Sequence, residues 1–263
     1  IAEPCFGKID SLETYVKHGQ AVHVEQMRAE YESARRDKFR CGGTMVWMFQ
    51  DCWPTSNWSL IDYYRAPKPA YYAAKRACAK WLPVIAERMG RIEFFFCNDS
   101  REGAAADLAF GQERLDGTRV WTKTARVECL NSAEKFFVLP KAEWSGAAGD
   151  YLFIDATVNG LALDRVTFFP GLWRDVPWPL PNIAVNVTKR ERKDGLHRAW
   201  IEVSTDAFAR FCFLQVKPSC ESAWFSDNFF DLCAGGRKTV LLTAPRQIAG
   251  NEIAPGCWHS PWP

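Results

Sequence analysis

The stretch TMVWMFQDCWPTSNWSLIDYY, Thr44 to Tyr64, decides how the chain is read. Thr44 to Phe49 is apolar on both faces, the pattern of a strand buried between two layers. Three tryptophans, Trp47, Trp53 and Trp58, fall within twelve positions of one another. The choice lies between a packed core and a rim that stacks on sugar rings. Trp47, inside the run, reads as core. Gln50, Asp51, Cys52 and Trp53 follow it, at the strand exit where parallel barrels place their sites. Gln and Asp hydrogen-bond hydroxyls, and an indole face suits the C–H face of a sugar. Trp53 and Trp58 therefore read as rim residues, with Gln50 and Asp51 between them and the strand.

Outward from this stretch the chain reads helix, strand, helix. From Gln20 to Phe39, Val24, Met27, Tyr31 and Ala34 recur at spacings of three and four, one face of a helix that Gly42 and Gly43 stop. Pro69 opens a second helix, with Tyr71, Ala74, Cys78 and Trp81 on one stripe, and Pro83 ends it. One strand cannot make a sheet, so its neighbours are expected outside the chain, upstream of Ile1. After Pro83 the pattern changes to short alternating strands with turn residues between them. Arg91–Cys97 meets Asn98-Asp99, Asp116-Gly117 precedes Val120–Cys129, and Asn159-Gly160 joins Tyr151–Val158 to Leu161–Phe169. A proline-rich segment, Val176 to Pro181, precedes a second set: Ile183–Thr188, Ala199–Val203, Ala209–Val216 and Thr239–Leu242. Each set fits a small β-sandwich. The expected division is 1–83, 84–180 and 181–263.

Composition narrows the function. Of 263 residues 48% are hydrophobic and 24% charged, the balance of an ordinary globular chain. A net charge of +2, with basic residues scattered among acidic ones, gives no case for nucleic acid. The run Lys189 to Lys193 reads as a solvated hairpin end. No apolar run approaches the roughly 20 residues that span a bilayer, and no signal peptide is visible at IAEPCFGKID. Because the chain also lacks an initiating Met, it reads as starting inside a longer polypeptide. Ten cysteines without C-x-x-C, and four histidines away from them, match no zinc pattern and read mostly as buried thiols. Asn57, Asn98 and Asn186 head N-x-S/T sequons, relevant only in a eukaryotic secretory setting.

Glycoside cleavage needs two carboxyl groups flanking the bond, about 5–5.5 Å apart for retention. Glu25, Glu30 and Glu32 lie in the first helix and suit solvated positions. Glu3 has no strand before it. Asp51 and Asp62 share one loop as possible substrate ligands, but nothing marks them as an acid/base pair. No catalytic residue is assigned, and neither a phosphate loop nor G-x-S-x-G is present.

Two segments carry a resemblance: LETYVKHGQAVHVEQMRAEYESARR (residues 12–36), and GGTMVWMFQDCWPTSNWSLIDYYRAPKPAYYAAKRA (residues 42–77). Together they resemble the last part of the catalytic barrel of family 2 glycoside hydrolases, nearest the β-mannosidase and exo-β-glucosaminidase branch. The family's Leu-Asn pair reads Phe49-Gln50 here, a departure at the hydrogen-bonding position. FSDNFFDL (Phe225–Leu232), preceded by Ala207 to Phe211, looks like the terminal Ig-like domain of β-mannosidases. The resemblance implies the end of a (β/α)8 barrel followed by two Ig-like sandwiches, with both catalytic glutamates upstream. It implies no cofactor or metal, an oligosaccharide or glycoconjugate substrate, and the upstream catalytic part of the same enzyme as partner. Trp53 would match the aromatic near the sugar subsite, with Asp51 and Gln50 on the same rim. The compartment stays open among extracellular, periplasmic and lysosomal. A free-standing carbohydrate-binding or structural module is the rival reading. An adhesion protein built on Ig-like sandwiches fails to explain the helical start.

Overall fold

The computed structural model describes residues 2–55 and 57–263. Helix α1 (Ala2–Phe6) leads into α2 (Leu12–Arg36). Ser11 caps α2: its hydroxyl accepts from the Thr14 amide at 3.1 Å, while Thr14 Oγ1 accepts from the Ser11 amide at 3.0 Å. The helix therefore starts eight residues before the expected Gln20, and its first turns leave Leu12, Tyr15 and Val16 exposed. That exposure is why apolar periodicity did not announce them.

Thr44–Phe49, expected as a buried strand, forms none. A strand is held by neighbours, and among the described residues only Ile61 pairs with this segment's end, as an isolated bridge to Gln50. The backbone still alternates. Thr44, Val46 and Met48 are half-buried, and Val46 packs near Met27, Leu60 and Ala74, whereas Met45, Trp47 and Phe49 are exposed. Trp47, expected in the core, is 79% exposed. Helix α3 (Pro69–Ala77) also ends sooner than expected, because Trp81 opens strand β1 (Trp81–Arg88). Pro83 thus sits within a strand, at the sheet edge where a missing amide costs no ladder bond.

The first sandwich continues with β2 (Arg91–Asn98), β3 (Ala104–Glu113), β4 (Arg119–Cys129), β5 (Ala133–Pro140), β6 (Tyr151–Val158), β7 (Leu161–Ala162) and β8 (Val166–Phe168). Sheet β1-β2-β5 faces sheet β4-β3-β6-β7, with β8 also paired to β6. Ile85, Phe94, Phe96, Leu108, Phe110, Leu152 and Ile154 fill the space between them. Asn159 (φ 52°) and Gly160 (φ 80°) turn β6 into β7, as two positive-φ hairpin positions require.

Residues 169–182 hold no strand, only a short 3-10 turn at Trp173–Asp175. The second sandwich follows: β9 (Ile183–Lys193), β10 (Leu196–Thr205), β11 (Ala209–Val216), β12 (Trp224–Phe225), β13 (Phe230–Leu232), β14 (Arg237–Ala244) and β15 (Ile253–Gly256). Sheet β12-β14-β10-β9 lies over sheet β13-β11-β15 around Ile201, Val203, Cys212, Leu214, Val240 and Leu242. All strand pairs are antiparallel.

Two further clusters join the parts. Tyr151, Phe153, Phe169, Val176 and Phe208 pack the sandwiches together, and Ala21, Val24, Tyr72, Ala73, Phe211, Phe213 and Phe229 seat the helices on the second one. The cysteines are less buried than expected. Cys97, Cys129, Cys212 and Cys257 are buried, Cys52 and Cys78 are exposed, and all ten are free thiols. The helix glutamates are not uniformly solvated either. Glu32 is buried at 8% exposure, and Glu25 bridges Arg28 and Arg210. Helix α2 is covered on more of its circumference than one apolar stripe implies.

Candidate functional site

The loop after residue 49 is built around Lys68. Its ammonium donates to Asp51 Oδ2 at 2.7 Å, to Ser59 Oγ at 2.7 Å and to the Asn57 carbonyl at 2.9 Å. Those three bonds use all three of its donors and tie both ends of the loop together. Asp51 N–H donates to Ile61 O at 3.0 Å, and the Leu60 and Ile61 amides both donate to Phe49 O. Ser59, fully buried, donates to Ile61 O at 3.0 Å.

Asp51 lies inside this brace at 3% exposure rather than on the rim. Burial pushes its carboxyl up, but the hydrogen bond and charge of Lys68 outweigh that and hold it below the ordinary carboxylate value. It is an ionised anchor. Sequence reasoning missed Lys68, although a signal existed. Lys68 is the N-cap of α3, with no side-chain cap bond. A cation there opposes the helix dipole, so its presence asks for another purpose.

The brace leaves the aromatic groups outside. Trp53 is 64% and Trp58 62% exposed, and Gln50 is exposed beside Phe49. Trp58 is oriented locally, its amide donating to Asn57 Oδ1 at 2.8 Å. Tyr63 and Tyr64 stand edge to face at 5.3 Å on the next turn. That turn is closed by Asp62, whose Oδ1 accepts from the Ala66 amide at 2.7 Å. Gln50, Trp53 and Trp58 thus belong to one exposed loop surface, while Asp51 and Asp62 are occupied in holding it. Such a surface can stack on sugar rings and hydrogen-bond hydroxyls. Among the described residues it presents no pair of free carboxyl groups of the kind that glycoside cleavage uses. Glu3 is spent elsewhere: exposed on α1, it accepts from the Ile9 amide at 3.1 Å. No cluster of metal-ligating side chains exists among the described residues, and no helix of the described residues is long and apolar enough to cross a membrane.

Comparison with known proteins locates this architecture. Residues 178–255 match the mannosidase Ig-fold domain. β-Mannosidase B of Aspergillus niger is 47% identical over 68 residues, 25% of this chain and 8% of that enzyme. The Aspergillus terreus enzyme of the same name is 46% identical over 68 residues, with the same shares. Among solved structures, β-D-mannosidase from Dictyoglomus thermophilum superposes with a TM-score of 0.84 at 22% identity, covering 96% of this chain and 31% of that one. An Amycolatopsis orientalis exo-chitosanase superposes at 0.79 and 17% identity, covering 98% and 35%. The chain therefore spans about a third of the solved enzymes it matches. Residues 178–255 therefore carry a mannosidase-type Ig fold, and nearly the whole chain shares the fold of about a third of these two solved glycosidases.

Proposed function

We propose that the chain serves a retaining exo-β-glycosidase acting on terminal β-linked mannosides or glucosaminides. Residues 1–83 would close its catalytic barrel, and 84–180 and 181–263 would be its Ig-like sandwiches. Both catalytic glutamates come from outside these residues. The observation that carries the reading is the alternation along 44–49. Val46 faces the helices, while Met45, Trp47 and Phe49 face away from them into open space. That is how a barrel strand divides its side chains between the helical layer and the barrel interior. An apolar face of this kind is poorly suited to a free-standing module in water. With the barrel complete, Trp47 and Phe49 pack its interior, and Trp53, Gln50 and Trp58 stand at its mouth near the non-reducing sugar. Asp51 acts through Lys68, as a positioning residue.

In the complete enzyme, Trp53→Ala is expected to lower kcat/KM several-fold, on the scale of the about 0.5–1.5 kcal/mol that an aromatic contact adds beyond burial. Trp47→Ala in the isolated chain should change stability by no more than about 0.5 kcal/mol, since an exposed side chain loses little. Unchanged kcat/KM in a folded Trp53→Ala enzyme would remove this tryptophan from the sugar site.

A further inference from the structure

The second sandwich carries arginines where its alternation calls for core residues. Along β9, Ile183, Val185 and Val187 turn inward against the core. A register shift at Trp200/Ile201 then resets the phase, and Arg190 comes opposite Ala199 and Arg192 opposite His197. Directly opposed residues share a face. Ala199 is buried in the core, so Arg190, Arg192 and His197 share its face of the sheet, but beyond the core at the open end of the sandwich, where both arginines are exposed and His197 is half-buried. Lys189 confirms the phase from the other side, its ammonium 4.4 Å over the Trp200 ring. These groups line a cavity of about 210 Å³ that Arg246 and Ile248 wall from the loop after β14.

The charges there do not balance. Glu191 is engaged by Lys189 at 3.3 Å and Arg198 at 3.6 Å, and Arg246 by Glu252 at 2.7 Å. Among the described residues no carboxylate comes within 4.0 Å of Arg190 or Arg192. Arg190 is held in place by a neutral acceptor, donating from Nη1 to Ile248 O at 2.6 Å. Arg190, Arg192 and His197 thus share one cavity lining with Glu191, and both guanidinium groups, exposed to solvent, stand there without a carboxylate partner of their own.

We propose that this cavity is a binding site for a compact oxyanion, a phosphate or sulfate group, taken free or as the ester on a sugar. Two guanidinium forks match such an oxyanion bidentately. The volume is below the roughly 300 Å³ at which pockets for larger organic ligands begin, which favours one tetrahedral group over an oligosaccharide. The site does not depend on the glycosidase reading.

The test is thermal melting and calorimetry of the 263-residue chain with low-millimolar phosphate or sulfate against chloride at matched ionic strength. Phosphate should raise Tm by several degrees as it saturates the site. Arg192→Gln should weaken binding by roughly tenfold or more, the scale of one charge-assisted hydrogen bond. Arg237→Gln, an exposed arginine elsewhere in the same sandwich, should leave the response intact. A phosphate response identical in the parent chain and Arg192→Gln would be a general salt effect and would overturn the site. So would equal melting in phosphate and chloride. A hexose 6-phosphate, compared with the parent hexose and with inorganic phosphate, separates the two sources. Tighter binding of the ester assigns the sugar, and equal binding of ester and inorganic phosphate assigns the free anion.

Discussion

Replacing Glu32 by glutamine should make the protein more stable in alkali while leaving it nearly unchanged in mild acid. Glu32 sits on α2 at 8% exposure, with no hydrogen-bond or ion-pair partner among the described residues. Burial pushes its carboxyl from 4.5 up to about 7, only partly opposed by the more distant charges of Arg28, Arg36 and Arg35, and assisted by Glu25. The folded chain therefore holds a proton that the unfolded chain has already released. Stability falls as pH rises from about 4.5 through about 7, and above that the whole cost is present. That displacement corresponds to roughly 3 kcal/mol, or about 6–12 °C in Tm at 2–4 °C per kcal/mol for a chain of this size. Melting curves of both proteins from about pH 5 to about pH 8 read it directly, because glutamine mimics the protonated acid and does not titrate. A Tm difference that stays constant across that range would refute the reasoning. So would a Glu32→Gln chain less stable at the alkaline end, since that would mean an ionised carboxylate held by the arginines.

Other outcomes follow from single contacts. Lys68→Met leaves Asp51, whose side chain is 1% exposed, without its counter-charge. Stability should fall by about 3–5 kcal/mol, and Asp51→Asn added to it should recover part of the loss in denaturant titrations. An unaltered midpoint in Lys68→Met would mean that the loop is held by other means. Of the sequons, Asn98 is fully buried and donates its amide to Glu102 O at 2.8 Å and Cys129 O at 2.9 Å, whereas Asn186 is exposed on β9. Peptide mapping after secretion from a eukaryotic host should find glycan at Asn186 and none at Asn98. Glycan on Asn98 would contradict the fold of the β2 end.

What the sequence revealed was set by how local the determining physics is. The turn at Asn159-Gly160 was legible because the residue types themselves supply the positive φ. The turn between β1 and β2 was not. There Met89 takes φ 48° before Gly90, and methionine carries no such signal. Strand β3 was missed because Ala104, Ala105, Ala106, Leu108 and Gln112 are good helix formers. Pairing to β4 on one side and β6 on the other overrides that preference. For Thr44–Phe49 the reverse holds: its composition suits a buried strand, and the ladder it needs has no partner among the described residues. Around the site, Trp53 and Trp58 were readable as exposed aromatics. The burial of Asp51 was not, because it depends on Lys68 seventeen residues later folding back across the loop.

In the function proposed above, this chain shapes a glycosidase site without supplying its catalytic carboxylates. The most direct measurement is hydrolysis of aryl β-mannoside and aryl β-glucosaminide by the purified, folded 263-residue chain. No turnover above the uncatalysed rate is expected. Saturable turnover by the chain alone, abolished by Glu3→Gln, would contradict it and place a catalytic carboxylate within these residues.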